Sequence, residues 1–462
     1  MDVTLAISRS SCNDHNMNEP MKATNTPYPT PSIAWYGVVM LMLAYIVSFI
    51  DRIIFGLLVG PIRKEFAIND TVFSLLYGWG FAFFYTFCGI FIGWAADRYN
   101  RRKLVVWGVG FWSLMTAACG VAQSFWQLAL ARIGVGVGEA TLSPAAYSMA
   151  GDSIPEKQLG RALSVYVIGL PLGVGLALII GGQVIGYVAN NPFYTLPLIG
   201  TIKSWQACFL VVGLPGLLLA ALLLTIKEPA RRKPTPVTGK SAVGEILDTL
   251  KYMLSHWRAY AGLVLGFSVM GMIMNVFQIW GVQYFVRLHG YSIPDAGLYV
   301  GLVIGVFGTI GILTGGWLAD RMRKAGRLDA TMRVGLIAAA VMIPFAATAT
   351  LMPDPRVGLL LMLPIGFFTS FAFGAGGAAV VVLTPSHMRA QASAVYLFFV
   401  NMIGIGLAPF MTAWITDHVF GSDLAVGKSA AIVAGGAAVG ATLLFIWGLP
   451  HFRRELEARA ES

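Results

Sequence analysis

The sequence predicts an all-α membrane protein with twelve transmembrane helices in two six-helix halves. Of its 462 residues, 57% are hydrophobic and only 12% are charged, whereas soluble domains carry roughly 25% charged residues. The apolar segments run for about 20 residues or more without strict alternation, which favours helices over the strands of a membrane barrel. A short GWxADR motif occurs in both halves of the chain, which indicates an internal repeat.

Five parts of the chain differ in composition. They are a disordered cytoplasmic tail (1–34), a six-helix bundle (35–226), a cytoplasmic linker (227–258), a second six-helix bundle (259–450) and a cytoplasmic tail (451–462). Within the linker, apolar residues recur at helical spacing from Val243 to Trp257, which predicts an amphipathic helix on the membrane surface. The predicted spans are 35–58, 72–95, 104–122, 125–149, 162–187, 205–226, 259–284, 296–319, 332–352, 357–383, 392–416 and 430–449.

The basic residues are distributed unevenly between the two sides of the membrane. With both termini inside, 24 of the 32 lysines and arginines lie on the cytoplasmic side, six lie outside and two lie within spans. The positive-inside rule therefore predicts cytoplasmic termini, and we expect a bacterial inner membrane. Arg63 and Lys64, in the first outer loop, go against this rule. Membrane topology accounts for the net charge of +10, so we expect the bilayer, not nucleic acid, as the partner.

The internal repeat carries a family resemblance. GWAADRYNRR begins at Gly93 and GWLADRMRK at Gly316, and Asp97 and Asp320 lie 223 residues apart, each where an even-numbered span reaches the cytoplasm. Two six-helix halves related by a parallel repeat form one known transporter architecture. Here the sequence resembles the major facilitator superfamily, whose loop motif after the second span matches the first stretch, with Asn100 where a glycine is usual.

A closer resemblance is to the spinster-like branch, which includes lysolipid and sphingosine-phosphate exporters. The residues that carry it are Asp51-Arg52, DRYNR from Asp97, Arg132 with GVGEA from Gly136, and Pro171 with the two glycines that follow it. These pieces cover much of the N-terminal half, whereas the C-terminal half shows the superfamily repeat alone. The resemblance implies proton-coupled transport by alternating access and leaves the substrate open.

The deeply placed charges are all in the N-terminal half: Asp51, Arg52, Arg132 and Glu139. A charge at mid-membrane costs about 2.5–3.5 kcal/mol on insertion scales, so charges kept there are usually functional. Arg132 and Glu139 are seven residues apart, which puts them on nearly the same side of a helix and roughly 10 Å apart along its axis. Both can therefore face one cavity, and the glycines between them leave room for a neighbouring helix or a ligand.

Heights along the helices predict how these charges pair. At about 1.5 Å per residue, Asp51 and Arg132 come at a similar height, and Glu139 lies about two turns nearer the cytoplasm. We therefore expect Asp51 to pair with Arg132 and Glu139 to lie lower in the same cavity. Arg52, about 100° around the helix from Asp51, is expected to face elsewhere, at the outer rim.

Competition for one guanidinium would couple a proton to an anion. An arginine lowers the proton affinity of a nearby carboxylate, and its planar fork suits phosphates and carboxylates. We expect Arg132 to clamp the substrate anion, and Asp51 and Glu139 to carry the coupling proton. The alternative is a set of fixed ion pairs that only hold helices together.

A second group of charges lies at the predicted cytoplasmic mouth. The family resemblance implies a gating network there, formed by Asp97, Arg98, Arg101, Asp152 and Asp320. The alternative is that the basic residues only anchor the chain to anionic lipid. In the second half we expect the substrate path to be lined by Asn275, Gln278, Thr369, Ser370, Tyr396 and Asn401, although such residues also serve as interhelical hydrogen bonds.

The sequence thus predicts a monomeric, proton-coupled secondary transporter that exports an amphipathic anion such as a lysolipid or a sphingosine-phosphate-like molecule. The alternatives are an organic-anion or sugar-acid proton symporter, a non-transporting membrane sensor and an integral membrane enzyme. We expect no enzyme activity, because the short loops carry no catalytic set. We also expect no metal site and no cofactor other than the coupling proton, because the six histidines are scattered.

Overall fold

The structure, a computed structural model, describes residues 27–96, 98–197, 200–232, 242–385 and 388–461. It confirms the predicted all-helical membrane fold, with one two-stranded hairpin as the exception within these residues. Helices 1 to 12 are Pro31–Leu57, Asp70–Ala96, Arg101–Cys119, Phe125–Glu139 continued by Leu142–Ser153, Glu156–Val188, Ser204–Leu223, Trp257–His289, Ile293–Lys324, Ala330–Leu351, Pro355–Leu383, Arg389–Phe420 and Val426–Glu461.

Ten of these helices are long and apolar enough to cross a membrane by length and composition. Helix 3 and the interrupted helix 4 complete the twelve. Helix 3 begins with three basic residues, Arg101 to Lys103. Asn100, which replaces the usual glycine of the loop motif, caps this helix by accepting a hydrogen bond from the Lys103 amide at 2.8 Å, as N-cap asparagines do.

Two features of the loops go beyond the predicted spans. A short helix, Val59–Phe66, follows helix 1. Between helices 5 and 6, strands β1 (Phe193–Leu196) and β2 (Gly200–Lys203) form an antiparallel hairpin, with Phe193 opposite Lys203. Lys203 holds the hairpin to the short helix through an ion pair with Glu65 at 2.6 Å.

The linker helix, Ala242–Ser255, packs against the C-terminal half. Its Thr249 and Met253 are buried, and Tyr252 accepts a hydrogen bond from Arg459 near the end of helix 12. The predicted C-terminal tail continues helix 12 as far as Glu461. Of the predicted N-terminal tail, residues 1–26 lie outside the described part of the chain, and helix 1 begins at Pro31, a residue type that suits the first turn of a helix.

We call the end of the bundle at which helix 1 begins and helix 12 ends the termini face, and the opposite end the far face. The two halves meet closely through helices 5 and 8 in the far-face part of the bundle. A side chain on Gly175 would come within 2.6 Å of the Gly305 backbone, and one on Gly186 within 2.5 Å of Pro294. Glycine allows this approach because it has no Cβ. Helices 2 and 11 meet similarly, since a Cβ on Gly78 would lie 2.6 Å from the Ile405 carbonyl.

Candidate substrate and proton site

Helices 1 and 4 bring the four predicted charges together in the interior of the N-terminal half. The exposed fraction is 1% for Asp51, 9% for Arg52, 1% for Arg132 and 2% for Glu139. Charges this deeply buried are rarely tolerated unless they are paired or hydrogen-bonded. Their pairing therefore decides what each of them can do.

Glu139 is paired with Arg52. The Arg52 guanidinium donates to Glu139 Oε2 from Nη2 and, at 3.2 Å, from Nε. The prediction that Arg52 faces the outer rim is therefore wrong. Residues 51 and 52 differ in direction by about 100° on the helix, and the packed rotation of helix 1 turns residue 52, not 51, toward the Glu139 carboxylate.

Arg132 binds backbone instead of a carboxylate, so the predicted Asp51–Arg132 side-chain pair is also wrong. Its Nη2 donates to the Arg52 carbonyl at 3.1 Å, and its Nη1 lies 3.5 Å from the Asp51 carbonyl. The estimated height was right, because Arg132 does reach residues 51 and 52. It reaches their main chain, and no hydrogen bond joins it to the Asp51 carboxylate among the described residues.

Asp51 is the group without a bonded partner. Neither of its carboxylate oxygens has a hydrogen-bond partner among the described residues, and the Trp112 indole nitrogen is likewise without one. The Asp51 carboxylate lies within electrostatic reach of Glu139, Trp112 and Arg132. A buried carboxylate in such a position is stabilised when it is neutral, because an unpaired charge in an apolar interior is costly.

Aromatic rings surround the two arginines, an arrangement that the sequence reasoning missed. The Phe81 ring lies between them, with its centroid 4.4 Å from the Arg52 guanidinium and 4.9 Å from that of Arg132. Such contacts are worth about 2 kcal/mol or more when they are desolvated. The sequence feature that could have revealed it is the presence of tyrosines or phenylalanines in each of the first five spans.

A row of rings continues from Arg52 toward the termini face. Tyr45 stacks on Tyr166 at 4.9 Å, Tyr166 contacts Tyr147 edge-on at 5.5 Å, and Tyr85 lies 5.2 Å from the Arg52 guanidinium. Tyr166 is 3% exposed, Tyr45 and Tyr85 are partly buried, and Tyr147 at the outer end is 46% exposed. We call these four tyrosines the aromatic vestibule.

The glycines between Arg132 and Glu139 pack against neighbouring helices. A Cβ on Gly138 would lie 2.7 Å from the Trp112 side chain, and one on Gly134 would lie 2.6 Å from Met115. Of the two uses predicted for this bare surface, a helix or a ligand, the structure shows the helix. Helix 3 thereby comes close enough to place Trp112 beside Asp51.

At the termini face, two of the predicted gate residues are joined. Arg101 is fully buried and pairs with Asp152, with Glu228 at 2.7 Å and with the Pro229 carbonyl at 2.7 Å. Glu228 and Pro229 belong to the start of the linker after helix 6, and neither was among the predicted gate residues. These bonds join the N-terminal half to the linker and do not reach the C-terminal half.

The remaining predicted gate residues stay untested. Arg98 is exposed and lies over the Trp94 ring at 4.2 Å. Asp320 is exposed at the end of helix 8, and Asp97 lies outside the described residues. The gating role of this group therefore remains a prediction.

The residues expected along the substrate path in the second half have mixed surroundings. Asn275 and Thr369 donate to carbonyls of their own helices, whereas Asn401 donates to Thr86 across the halves at 3.1 Å. Gln278, Ser370 and Tyr396 are buried. Thr369 lines a narrow apolar cavity together with Met274, Phe277, Val303, Ile304 and Met362.

A second charge cluster lies at the far face, and the sequence reasoning did not find it. Asp70, at the start of helix 2, is fully buried and binds Arg287 of helix 7 at 2.5 and 2.9 Å and Arg63 at 3.0 Å. Arg63 also binds Asp423 at 2.9 Å. The sequence feature that pointed to this cluster is the pair of basic residues Arg63 and Lys64, which go against the positive-inside rule.

Asp417 completes this cluster. Its Oδ2 accepts hydrogen bonds from the Thr71 amide at 2.7 Å and from the Thr71 hydroxyl at 2.6 Å. The carboxylates of Asp70, Asp417 and Asp423 thus approach each other within 4.8 Å. Two arginines and the amide at the start of helix 2 bind these carboxylates.

Known proteins resemble this chain over most of its length. The sequence model of the Major Facilitator Superfamily matches residues 41–409. An MFS-type efflux pump of Mycolicibacterium smegmatis is 26% identical over 458 residues, or 96% of this chain and 100% of the relative. Protein spinster homolog 1 of Xenopus tropicalis is 27% identical over 413 residues, or 83% of this chain and 73% of the relative.

Another relative and a solved structure extend these similarities. The probable L-galactonate transporter of Escherichia coli is 25% identical over 428 residues, or 87% of each chain. A bacterial homologue of the human lysosomal transporter spinster, crystallised in an inward-facing and unoccupied conformation, matches with a TM-score of 0.73 at 23% identity. That match covers 94% of this chain and 99% of the other.

Proposed function

This chain belongs to the major facilitator superfamily, and we propose that it is a proton-coupled transporter that exports an amphipathic anion by alternating access. It is an integral multi-pass membrane transporter, not an enzyme. The observation that carries the proposal is the arrangement of the central charges. One guanidinium, that of Arg52, is bound to one carboxylate, that of Glu139. Next to them is a second carboxylate, Asp51, whose oxygens accept no hydrogen bond from the part of the chain that the structure describes.

In the proposed mechanism, a proton and an anion compete at Arg52. When an anionic headgroup binds Arg52, Glu139 loses its counter-ion and gains affinity for a proton. When Glu139 is protonated, Arg52 is free for the anion. Arg52 is the more accessible arginine, since its side chain is 11% exposed and the aromatic vestibule leads to it, so we assign the first contact with the substrate to Arg52. Arg132 is the deeper cation that stays bound to backbone carbonyls.

Asp51 supplies a second site for the proton. It is close to Glu139 and Arg132 but bonded to neither. A proton on Asp51 removes one negative charge from the buried group, and this change acts on both arginines through a medium of low dielectric constant. Asp51 and Glu139 thus form the pair of proton-carrying residues that the sequence predicts. Arg52 links this pair to the substrate, because the anion competes with Glu139 for its guanidinium.

The conformation fits a resting state that is open at the termini face. The halves are joined at the far face by ion pairs and by the glycine contacts of helices 5 and 8. Tyr147, in the outer part of the vestibule, is 46% exposed. If the termini are cytoplasmic, as the basic residues predict, the state is inward-facing.

An apolar tail would extend into the C-terminal half. The cavity lined by Met274, Phe277 and Thr369 is almost entirely apolar but holds only about 10 Å³ in this conformation. It must therefore widen before a tail can enter, and flexible methionines adapt to irregular chains. A single-chain amphiphile would then place its headgroup at Arg52 and its tail between helices 7, 8 and 10. A hydrophilic sugar acid would leave this apolar surface unused. The similarity to a probable L-galactonate transporter keeps a sugar-acid symporter as the second candidate.

The test is a flux measurement in proteoliposomes with an imposed pH gradient. Labelled lysophospholipid, sphingosine phosphate and a hexuronate are compared for the parent protein and for Glu139→Gln, Asp51→Asn and Arg52→Met. Glu65→Gln is the matched control, because it removes a carboxylate from an ion pair distant from this site.

We expect lysolipid or sphingoid-phosphate flux to follow the pH gradient. Glu139→Gln should reduce gradient-driven accumulation by roughly tenfold or more, a factor equal to about 1.4 kcal/mol, while exchange without a gradient persists. Accumulation that is insensitive both to the gradient and to Glu139→Gln would disprove proton coupling. Transport of the hexuronate alone would replace the amphiphile with the second candidate.

A further inference from the structure

We propose that the far-face charge cluster is a lock between the two halves, and that it sets which face of the transporter is open at rest. The lock consists of Arg63, Asp70 and Thr71 on the N-terminal half and Arg287, Asp417 and Asp423 on the C-terminal half. This inference rests on the proposed alternating-access function, because a lock is useful only if the halves separate.

The first part of the lock is a buried carboxylate held by both halves. Asp70 has no exposed side-chain surface and receives two hydrogen bonds from Arg287, which is 217 residues away in sequence. Arg63, from its own half, approaches the same carboxylate at 3.0 Å. Separating the halves would leave Asp70 and Arg287 without each other, and uncompensated charges of this kind are costly.

The second part bridges the halves in the reverse direction. Arg63 donates to both oxygens of Asp423, at 2.9 and 3.2 Å. Partial burial lowers the pKa of the Arg63 guanidinium, but its hydrogen bonds to Asp423 and the nearby charges of Asp70 and Asp417 outweigh that effect, so its pKa is raised overall. Arg63 therefore remains charged and links an aspartate of each half.

The third part is a helix cap supplied from the opposite half. Asn69 caps helix 2 from within the N-terminal half by accepting from the Val72 amide at 2.9 Å. Asp417, on helix 11, accepts from the neighbouring Thr71 amide. A carboxylate at this position also interacts favourably with the positive end of the helix dipole. The Thr71 amide at the start of helix 2 thus has this capping acceptor only while the far face is closed.

The lock lies over the contact between helices 2 and 11. The start of helix 2 packs on residues Ala408–Trp414 of helix 11, and Ser74 is 1% exposed there, with no hydrogen-bond partner for its hydroxyl among the described residues. The glycine contacts of helices 5 and 8 require close approach but supply no polar bond between side chains. The charge cluster therefore provides the directional contacts that hold the far face shut.

The experiment measures accessibility and requires neither substrate nor proton, so its result is independent of the transport assay. In a background lacking the native cysteines, Ser74→Cys reports opening of the far face and Tyr147→Cys reports closing of the termini face. The rate of maleimide labelling is measured for each reporter in the parent background and with Asp70→Asn, Arg287→Gln, Asp417→Asn or Glu65→Gln. Glu65→Gln is the control, since the Glu65–Lys203 pair lies at the same face but within one half.

With Asp70→Asn or Arg287→Gln, we expect labelling at Ser74→Cys to rise roughly tenfold and labelling at Tyr147→Cys to fall. The double variant Asp70→Asn with Arg287→Gln should show no larger change than the single variants, because each single change already removes the same contact. Asp417→Asn keeps an oxygen for the cap and should give a rise of about twofold. Glu65→Gln should change neither reporter.

Three outcomes would overturn the lock. One is unchanged labelling of Ser74→Cys with Asp70→Asn and with Arg287→Gln. Another is an equal increase with Glu65→Gln. The third is an increase at Ser74→Cys with no decrease at Tyr147→Cys, because that pattern reports local loosening of helix 2 and not a movement of the halves.

Discussion

The two charge clusters use the same kinds of residue but differ in what they leave unsatisfied. In the central cluster, both oxygens of Asp51, one oxygen of Glu139 and the Nε of Arg132 lack partners among the described residues. At the far face, Asp70 accepts from Arg287 with both oxygens. The central cluster lies within one half, whereas the far-face cluster joins the two. Unsatisfied groups are available to bind a proton or an anion, and satisfied groups that bridge a movable interface hold a conformation.

This difference also indicates different roles for the buried ion pairs of the two clusters. Buried pairs are weak evidence for stability, because the cost of desolvation offsets their attraction. The Arg52–Glu139 pair is better explained by exchange of its partners during transport. The Asp70–Arg287 pair is better explained by the conformation that it selects. The following predictions test this division.

The largest expected effect on stability comes from breaking the central pair on one side. Arg52→Met leaves Glu139 buried without its counter-ion and should lower the free energy of unfolding by about 3–5 kcal/mol. Thermal unfolding in detergent measures it. The double variant Arg52→Met with Glu139→Gln should recover most of the loss, because the uncompensated charge is then gone. A double variant as unstable as the single one would mean that Arg52 contributes through its packing on Phe81.

A much smaller effect is expected at the unpartnered carboxylate. Asp51→Asn removes no hydrogen bond that Asp51 makes to a described residue, so it should change the free energy of unfolding by no more than about 1 kcal/mol. Thermal unfolding of this variant beside Arg52→Met gives the contrast. A loss as large as that of Arg52→Met would show that Asp51 is a structural ion-pair partner and would remove it from the coupling pair.

The smallest effect is expected at an exposed pair of the far face. Glu65→Gln breaks a contact with Lys203, whose side chain is 46% exposed, and exposed pairs contribute about 0–1 kcal/mol. Thermal unfolding at low and high salt measures it, and the small difference should vanish at high salt. A salt-independent loss above this range would make the hairpin anchor part of the fold's stability and disqualify Glu65→Gln as the neutral control.

The sequence by itself determined the membrane class, the two-half architecture and the approximate positions of the twelve helices. Apolar length, the positive-inside bias and the repeat at Asp97 and Asp320 are all properties of consecutive residues. The sequence also identified the four costly charges, because a charge within an apolar span is visible without a structure. It even marked Arg63 as anomalous, although it gave no reason.

Only the tertiary structure decided which charges meet. Asp51 and Arg52 are neighbours in sequence and differ by about 100° in direction, so a modest rotation of helix 1 decides which of them faces Glu139. That rotation is set by packing, including the close approach of helix 5 to helix 1, where a Cβ on Gly173 would lie 3.1 Å from the Cα of Ile46. The far-face lock joins Asp70 to Arg287 across 217 residues. No local pattern encodes such a contact, because it exists only when two independently packed halves come together.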